Sequence, residues 1–355
     1  MIEIAVTRTD HRKARPPSDA LGFGQHFSDH MFVMEYEEGR GWHTPRLVPY
    51  GPLSIDPAAC SLQYAQSLFD GFKAIRGDDG KIRLFRPQRH CARMASGAAQ
   101  MCMPSVPQDV MLQGITELVK LDRDWVPTGT NTALYLRSTL IGTEPFLGVR
   151  PSRTYTFFII ASPVGAYYAE GFNPVNIWIE EESVRAARGG LGAVKAGANY
   201  AASLFAAERA KKNGYAQVLW LDAAEHKYLE EVGTMNLFVV IDGVYITPPL
   251  EGSILEGVTR DSIIKLLREW NCEVVERRIS VAEIERAHAE GRLNEVFGCG
   301  TAAVISPVGA FGRKDKRIAI HDGKPGEMST RLLSEITNLQ HGRIPDRHGW
   351  VLEVD

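Results

Sequence analysis

The chain has 355 residues, is 44% hydrophobic and carries a formal net charge of −3, so it is long enough for two cores and has no basic excess to bind nucleic acid. Its 5 cysteines are odd in number and scattered, with no CxxC spacing, which argues against a disulfide framework or a zinc site and fits a reducing cytoplasm. The most apolar stretch, Phe157 to Ala169, is broken by Pro163 and too short to span a bilayer, and Met1 to Arg8 lacks the apolar segment of a secretion signal.

In chain order, His11 to Arg15 followed by Pro16 and Pro17 reads as a solvated arm. Met31 to Tyr36 and Ser61 to Phe69 read as strands or strand edges, with hairpin turns at Gly39-Arg-Gly41 and Gly77-Asp-Asp-Gly80. Pro87 opens a helix carrying His90, Met94 and Gly97 to Met101; Pro107 opens a second with Val110, Ile115, Leu118 and Val119 on one face. Asn131 to Ile141 and Arg153 to Ala161 are β-rich, the second apolar on both faces as a buried central strand is. Turn clusters at Ser162-Pro-Val-Gly165 and Gly171-Phe-Asn-Pro174 then place a linker at 164–175, between a small N-terminal domain, 1–163, and a larger C-terminal domain, 176–355.

Beyond the linker the order is strand, glycine loop, helix, strands, two helices and strand, an α+β to α/β pattern. Its central feature is Arg188-Gly-Gly-Leu-Gly-Ala-Val-Lys195-Ala-Gly-Ala-Asn-Tyr200, a glycine-rich loop that runs into a helix. Ala201, Leu204, Phe205 and Ala206 recur at helical spacing, and Asn213-Gly214 is the stop. Desolvation and the positive end of the helix dipole disfavour the ammonium form of a lysine placed there. A neutral amine attacks carbonyl compounds, pyridoxal phosphate above all. Taken by itself, the stretch reads more readily as a solvated loop.

Other segments supply what such a cofactor needs. Gly257-Val258-Thr259 opens a helix with the stripe Ile263, Ile264, Leu267 and Trp270, and its terminal amides suit a phosphate. Gly298-Cys-Gly300-Thr301 is a second small-residue turn with the same potential. Either also reads as a plain loop. Glu231, where a strand begins, suits a pyridine nitrogen or is an ordinary edge-strand glutamate. Arg93, one helical turn from Arg89, is a phosphate ligand or part of a solvated face. Arg137, amid Leu134, Tyr135, Leu136 and Leu140, requires a partner or an edge position. Ser280 and Glu283 form a capping box for a helix that stops at Gly291.

Taken together these segments resemble the branched-chain-amino-acid aminotransferases of pyridoxal-phosphate fold type IV. The resemblance rests on Ser67-Leu-Phe-Asp-Gly-Phe-Lys73, Arg83-Leu-Phe-Arg-Pro87, Leu134-Tyr-Leu-Arg137, Pro163-Val-Gly-Ala-Tyr167, Gly189 to Tyr200 and Gln217-Val-Leu-Trp-Leu221. It continues through Glu230 to Phe238, Gly257-Val-Thr-Arg260 and Phe297-Gly-Cys-Gly-Thr-Ala302, in the family's order over nearly the whole chain. It implies a small α/β N-terminal domain, a larger domain with a pseudo-barrel sheet, and the cofactor at the domain interface.

Carried over by position, the resemblance makes Lys195 the Schiff-base lysine and Glu231 the partner of the pyridine nitrogen. Arg93, the amides of Val258 and Thr259 and the hydroxyl of Thr301 would bind the phosphate. Tyr200 would bond the phenolic oxygen, with Arg185 and Thr234 close to the cofactor. Phe23, Tyr64, Phe69 and Tyr135 would cage the substrate side chain, the amides of Thr301 and Ala302 would receive the α-carboxylate, and Arg137 would order the pocket. No metal is implied. The implied reaction moves the amino group of L-leucine, L-isoleucine or L-valine to 2-oxoglutarate, in a cytoplasmic homodimer whose first domain contributes to the partner's site. Tyr135 and Tyr167 near strand edges agree with such a dimer. Animal members carry a CxxC pair at the positions of Ala303 and Ser306, so no thiol switch is expected. D-amino-acid aminotransferases and 4-amino-4-deoxychorismate lyases share the fold type and are the enzymatic alternative; a catalytically silent cofactor-binding module is the other.

Overall fold

The computed structural model describes residues 2–129, 131–165, 172–314 and 316–354. Tyr167 and residues 166–171 of the expected linker lie outside them. The chain forms two compact units, one of Met1–Tyr167, Val194–Ala198 and Thr337–Asp355, the other of Tyr168–Ala193 and Asn199–Ile336.

The first unit contains, in order, β1 (Ala5–Val6), β2 (His30–Glu37), β3 (Gly41–Pro49), α1 (Cys60–Tyr64), β4 (Ser67–Arg76), β5 (Ile82–Phe85), α2 (Pro87–Gln100), α3 (Gln108–Leu121), β6 (Ala133–Gly142) and β7 (Thr154–Val164). They form one sheet in the order β1-β3-β2-β7-β6-β4-β5, closed on its far edge by the C-terminal strand Val351–Val354. Gly39 and Gly80 take φ of 86° and 79° in the two expected hairpins, a conformation that favours glycine. The strand expected over Ser61 to Phe69 is only half right. Residues 60–64 form α1, which ends on Ala65 in the left-handed region, and extended structure begins at Ser67. The helical turn closes through Leu62 and Gln63 donating to the Ala59 carbonyl, a local choice that alternation of apolar residues cannot report.

α2 and α3 cover one face of this sheet at close range. A Cβ on Gly97 would meet Leu68 at 2.9 Å, and one on Gly114 would meet Phe32 at 3.0 Å. Leu68, Asp70, Phe72 and Ala74 of β4 therefore face the helices, and Phe69, Gly71 and Lys73 the opposite side. β7 is central, between β2 and β6, and buries Tyr155, Phe157, Ile159 and Ala161; Phe158 and Ile160 on its other face are only half-buried.

The chain continues with β8 (Val175–Ile179), α4 (Gly197–Lys212), β9 (Gln217–Leu221), β10 (Leu229–Val232), β11 (Met235–Ile241), β12 (Val244–Thr247), α5 (Val258–Glu269), β13 (Val274–Glu276), α6 (Val281–Ala289), β14 (Leu293–Gly300), β15 (Val304–Arg313), β16 (Lys316–Ala319) and α7 (Glu327–Gln340). Strands β10-β9-β8-β15-β14-β11 close into a six-stranded barrel because β10 also pairs with β11. Ile177, Ile179, Leu219, Leu221, Leu237, Val239, Val296 and Phe311 belong to its core. Ser280 caps α6, accepting the Glu283 N–H at 3.1 Å.

α4 forms as expected, with Gly214 at φ 79° beyond its end, but its buried face differs from the expected one. Ala206 and Ala210 pack with Val218 and Trp220, whereas Leu204 and Phe205 are 63% and 72% exposed. The bulk of Trp220 leaves room only for alanines one helical turn apart.

The expected division also differs from the compact units. Val194–Ala198 joins the first unit, where Ala196 bridges Leu68 and the Phe69 N–H donates to the Lys195 carbonyl at 3.1 Å. The C-terminal strand joins it too, by pairing with β5. Turn signals mark where a chain leaves a unit and carry no mark of its return.

Candidate active site

Lys195 is held against β4, its Nζ 5.0 Å from the centroid of the Phe69 ring. Burial first, and the Arg93 cation second, bring its amine down from 10.5 to about 8. On the same face of the sheet the Tyr135 ring packs with Phe23, centroids 5.1 Å apart. The Arg137 guanidinium lies 4.5 Å above Phe69 and 5.3 Å from the Tyr135 ring, and its Nη2 donates to the Tyr135 hydroxyl at 3.3 Å. That arrangement needs glycine at 71, since a Cβ there would sit 1.8 Å from the Tyr135 oxygen.

Phe23, Phe69, Tyr135, Arg137 and Lys195 are thus brought together. Tyr64 is not. It is 44% exposed at the end of α1, and its hydroxyl donates to the Leu147 carbonyl, because the left-handed Ala65 separates α1 from β4.

Arg93 reaches from α2 to Asp70, with Nε and Nη2 each 2.8 Å from a carboxylate oxygen. His90 places Nδ1 2.9 Å from the same Asp70, and its ring stacks on Phe72. Burial by itself would raise the Asp70 pKa; the Arg93 and His90 partners hold it well below the usual carboxylate range instead. Asp70 falls inside the Ser67 to Lys73 segment and His90 in the helix opened by Pro87, but as single polar residues on apolar faces neither signals a function by itself. The detectable signal is their placement on facing sides of β4 and α2, where each needs a partner. Arg89 is exposed, so only Arg93 of the pair points inward.

In the second unit Glu231 stands opposite Asn236 across the β10–β11 hairpin. Its Oε1 accepts from Asn236 Nδ2 and from the Leu255 N–H, each at 3.2 Å. Arg185 Nε lies 2.7 Å from Oε2, and Arg185 Nη2 also donates to the Gly192 carbonyl at 2.9 Å and to the Ser253 carbonyl. Glu231 is 3% exposed on a barrel strand paired on both sides, which removes the edge-strand alternative. Thr234 is exposed at the hairpin tip. Val258 and Thr259, 5% and 6% exposed, form the first turn of α5, whose N-cap Gly257 makes no side-chain cap. Thr301 and Ala302 are half-buried in the β14–β15 turn, followed by Val304 at φ 61°, a costly value for a β-branched residue. Tyr200 is half-buried in the first turns of α4, and Asn199 ties that turn to the Leu191 carbonyl at 2.7 Å. Cys299 is fully buried and burial pushes its thiol up. Among the described residues no group of three or more His, Cys, Asp or Glu is placed to hold a metal ion, and no helix is long and apolar enough to cross a membrane.

Lys195 in the first unit is thus a desolvated amine, and Glu231 in the second a buried carboxylate beside Arg185. Residues 67–311 match the family model described as amino-transferase class IV, and the chain belongs to that family. Branched-chain-amino-acid aminotransferases are among its relatives. The chain is 49% identical over 352 residues to branched-chain-amino-acid transaminase 1 of Bacillus subtilis, covering 99% of each. Among solved structures, the Escherichia coli branched-chain amino acid aminotransferase matches with a TM-score of 0.77 at 28% identity, over 91% of this chain and 99% of that one. The holo-form of the Thermobaculum terrenum branched-chain amino acid aminotransferase, with PLP, shares the fold with a TM-score of 0.75 at 23% identity, over 91% and 98%.

Proposed function

We propose that this chain is a pyridoxal-phosphate-dependent transaminase that moves the amino group of L-leucine, L-isoleucine or L-valine to 2-oxoglutarate, giving the branched 2-oxo acid and L-glutamate. The observation that carries this reading is Lys195, an amine brought to about 8 by burial beside an aromatic, arginine-bearing face. The residues fit the cofactor: a buried amine that is nucleophilic when neutral, a buried carboxylate held by Arg185, Asn236 and Leu255, and a helix start without a side-chain cap. When bound, pyridoxal phosphate supplies a carbonyl for the amine and an electron sink for the pair left on the substrate Cα.

Each residue then has a task. Lys195 would hold the cofactor's carbonyl carbon, and its Nζ, once free, would serve as the base and then the acid for the substrate's Cα proton. Glu231 would face the pyridine nitrogen, with Arg185 Nε 2.7 Å from its Oε2. Arg93, the Val258 and Thr259 amides and the Thr301 hydroxyl hold the phosphate, and Asp70 fixes Arg93. Tyr200 bonds the phenolic oxygen, with Thr234 nearby. Phe23, Phe69 and Tyr135 exclude water around an apolar side chain, Arg137 orders them, and the Thr301 and Ala302 amides receive the α-carboxylate. With the cofactor bound, the two amino-group transfers would follow one another, a ping-pong cycle.

The active form is a cytoplasmic homodimer. Leu62, Tyr64, Phe146, Leu147 and Val149 are between 38% and 87% exposed, an apolar set that a second copy would cover and that gives Tyr64 a role in the partner's site. The test is an absorbance scan of the purified protein before and after L-leucine, repeated with Lys195→Ala. A visible cofactor band that leucine shifts in the wild type, absent in the variant, is the expected result. A band unmoved by leucine and bleached by D-alanine would replace this reading with D-amino-acid transfer.

A further inference from the structure

Glu230 precedes Glu231 on β10 and is 5% exposed, yet no step of the chemistry above uses it. Its Oε1 accepts from the Ser253 hydroxyl, and its Oε2 has no hydrogen-bond partner. Burial raises its pKa above the ordinary 4.5, against the opposing pull of Ser253 and Arg185. Asp222, just after β9, adds to that rise, and Arg188, the other cation near it, is paired with Glu251 at the surface. A buried carboxylate with one bare oxygen is costly, and a neutral carboxyl in the same place is far less so.

Ser253 connects Glu230 to its neighbour. The Ser253 carbonyl accepts from Arg185 Nη2, which also reaches the Gly192 carbonyl at 2.9 Å, and Arg185 Nε lies 2.7 Å from Glu231 Oε2. Two residues further on, Leu255 donates its N–H to Glu231 Oε1 at 3.2 Å, and its carbonyl accepts from Asn236 Nδ2 at 2.9 Å. The segment 252–255 thus reaches Glu231 twice, through Arg185 and directly. A Cβ on Gly192 would collide with the Ser253 backbone, so the segment is also held closely from the side of the glycine loop.

We infer that Glu230 is a positioning residue which, as a neutral acid, anchors segment 252–255 to β10 through the Ser253 hydroxyl and so keeps Arg185 directed at Glu231. The assignment rests on the transaminase reading above, in which Glu231 faces the pyridine nitrogen. Being neutral, Glu230 holds the segment without offering Arg185 a second anion. Buried networks of this kind orient the groups that touch a ligand.

The experiment uses the holoenzyme loaded with pyridoxal phosphate and reads two quantities: the pH at which the cofactor's visible band changes, with no substrate present, and the rate of the leucine-driven absorbance change. Ser253→Ala and Glu230→Leu should each raise the pH of that transition by about one unit, because a loosened Arg185 no longer holds its positive charge beside the ring. Each should also slow the leucine reaction about tenfold. Glu230→Gln, which keeps a neutral acceptor for the Ser253 hydroxyl, should recover most of both. In a Glu231→Gln background neither Ser253→Ala nor Glu230→Leu should move the transition further, since Arg185 then has no anion to be directed at. An unchanged transition in Ser253→Ala would overturn the assignment, as would a full shift on top of Glu231→Gln, or a Glu230→Gln protein as impaired as Glu230→Leu. Ser253→Ala removes one buried atom and decides the matter even if Glu230→Leu does not fold. A wild type without a visible cofactor band would overturn the transaminase reading itself, and this assignment with it.

Discussion

Arg93 donates to both oxygens of Asp70, from Nε and Nη2, each at 2.8 Å. A guanidinium placed for an anionic ligand is thereby oriented before that ligand arrives, and the β4 carboxylate that orients it has no contact with solvent.

Asp70→Asn should therefore destabilise the protein by about 3–5 kcal/mol, the cost of leaving a buried arginine without its anion. The native pKa of Asp70 lies below its ordinary value of 3.8. The carboxylate's contribution is then fully present above about pH 4 and is lost as pH falls further. Urea titrations of the two proteins should show a gap that is widest near neutrality and narrows in acid. A constant gap down to pH 3 would contradict the ion pair as its source.

Lys195 shows the same slope with pH for a different reason, a charged form that burial disfavours. Its amine drops from 10.5 to about 8 in the folded chain, so between those values the unfolded chain binds the extra proton and stability rises with pH. At pH 7 the buried ammonium costs roughly 1–3 kcal/mol. In cofactor-stripped protein, Lys195→Met should be the more stable form at pH 7, and the advantage should fade by about pH 10.5. Thermal melts at several pH values read this directly, and a less stable variant at pH 7 would refute it.

Glu231→Gln keeps the shape of the site and removes the charge that faces Arg185. Melting temperature should fall and the leucine-driven absorbance change should slow by roughly 100-fold or more, since a neutral amide holds no proton on the pyridine nitrogen. Equal rates in stopped flow would take Glu231 out of the chemistry.

Gly71→Ala is the smallest possible insult to the aromatic face. Its Cβ would lie 1.8 Å from the Tyr135 oxygen, so the ring and its bond to Arg137 must move. kcat/KM for leucine should drop about tenfold or more, whereas Tyr135→Phe, which leaves the ring in place, should lose less. A Gly71→Ala enzyme with normal leucine kinetics would mean that Tyr135 does not shape the pocket.

The glycine loop, the hairpin turns and the two helices opened by prolines were readable because each has a local chemical cause. Lys195 and Glu231 could be singled out, but the alternatives of solvated loop and edge strand fell only when burial and pairing were known. Asp70 and His90 gave no local signal, since their meaning arises where α2 crosses β4. Leu204 and Phe205 misled for a related reason: periodicity identifies a helix, and the bulk of Trp220 decides which side faces inward. Tyr64 matched by position, yet its surroundings depend on the left-handed Ala65, which no apolar pattern encodes.

The strand Val351–Val354 pairs with Ile82–Phe85, and the ion pair between Arg83 and Glu353 within that ladder joins residues 270 apart. During translation the barrel, made from residues inside 172–336, can close while the ribosome is still at work. The sheet that carries Tyr135 and Arg137 must hold an open edge until residue 354 has been made. An unpaired edge invites wrong partners, so the first unit is the part of the nascent chain most in need of protection.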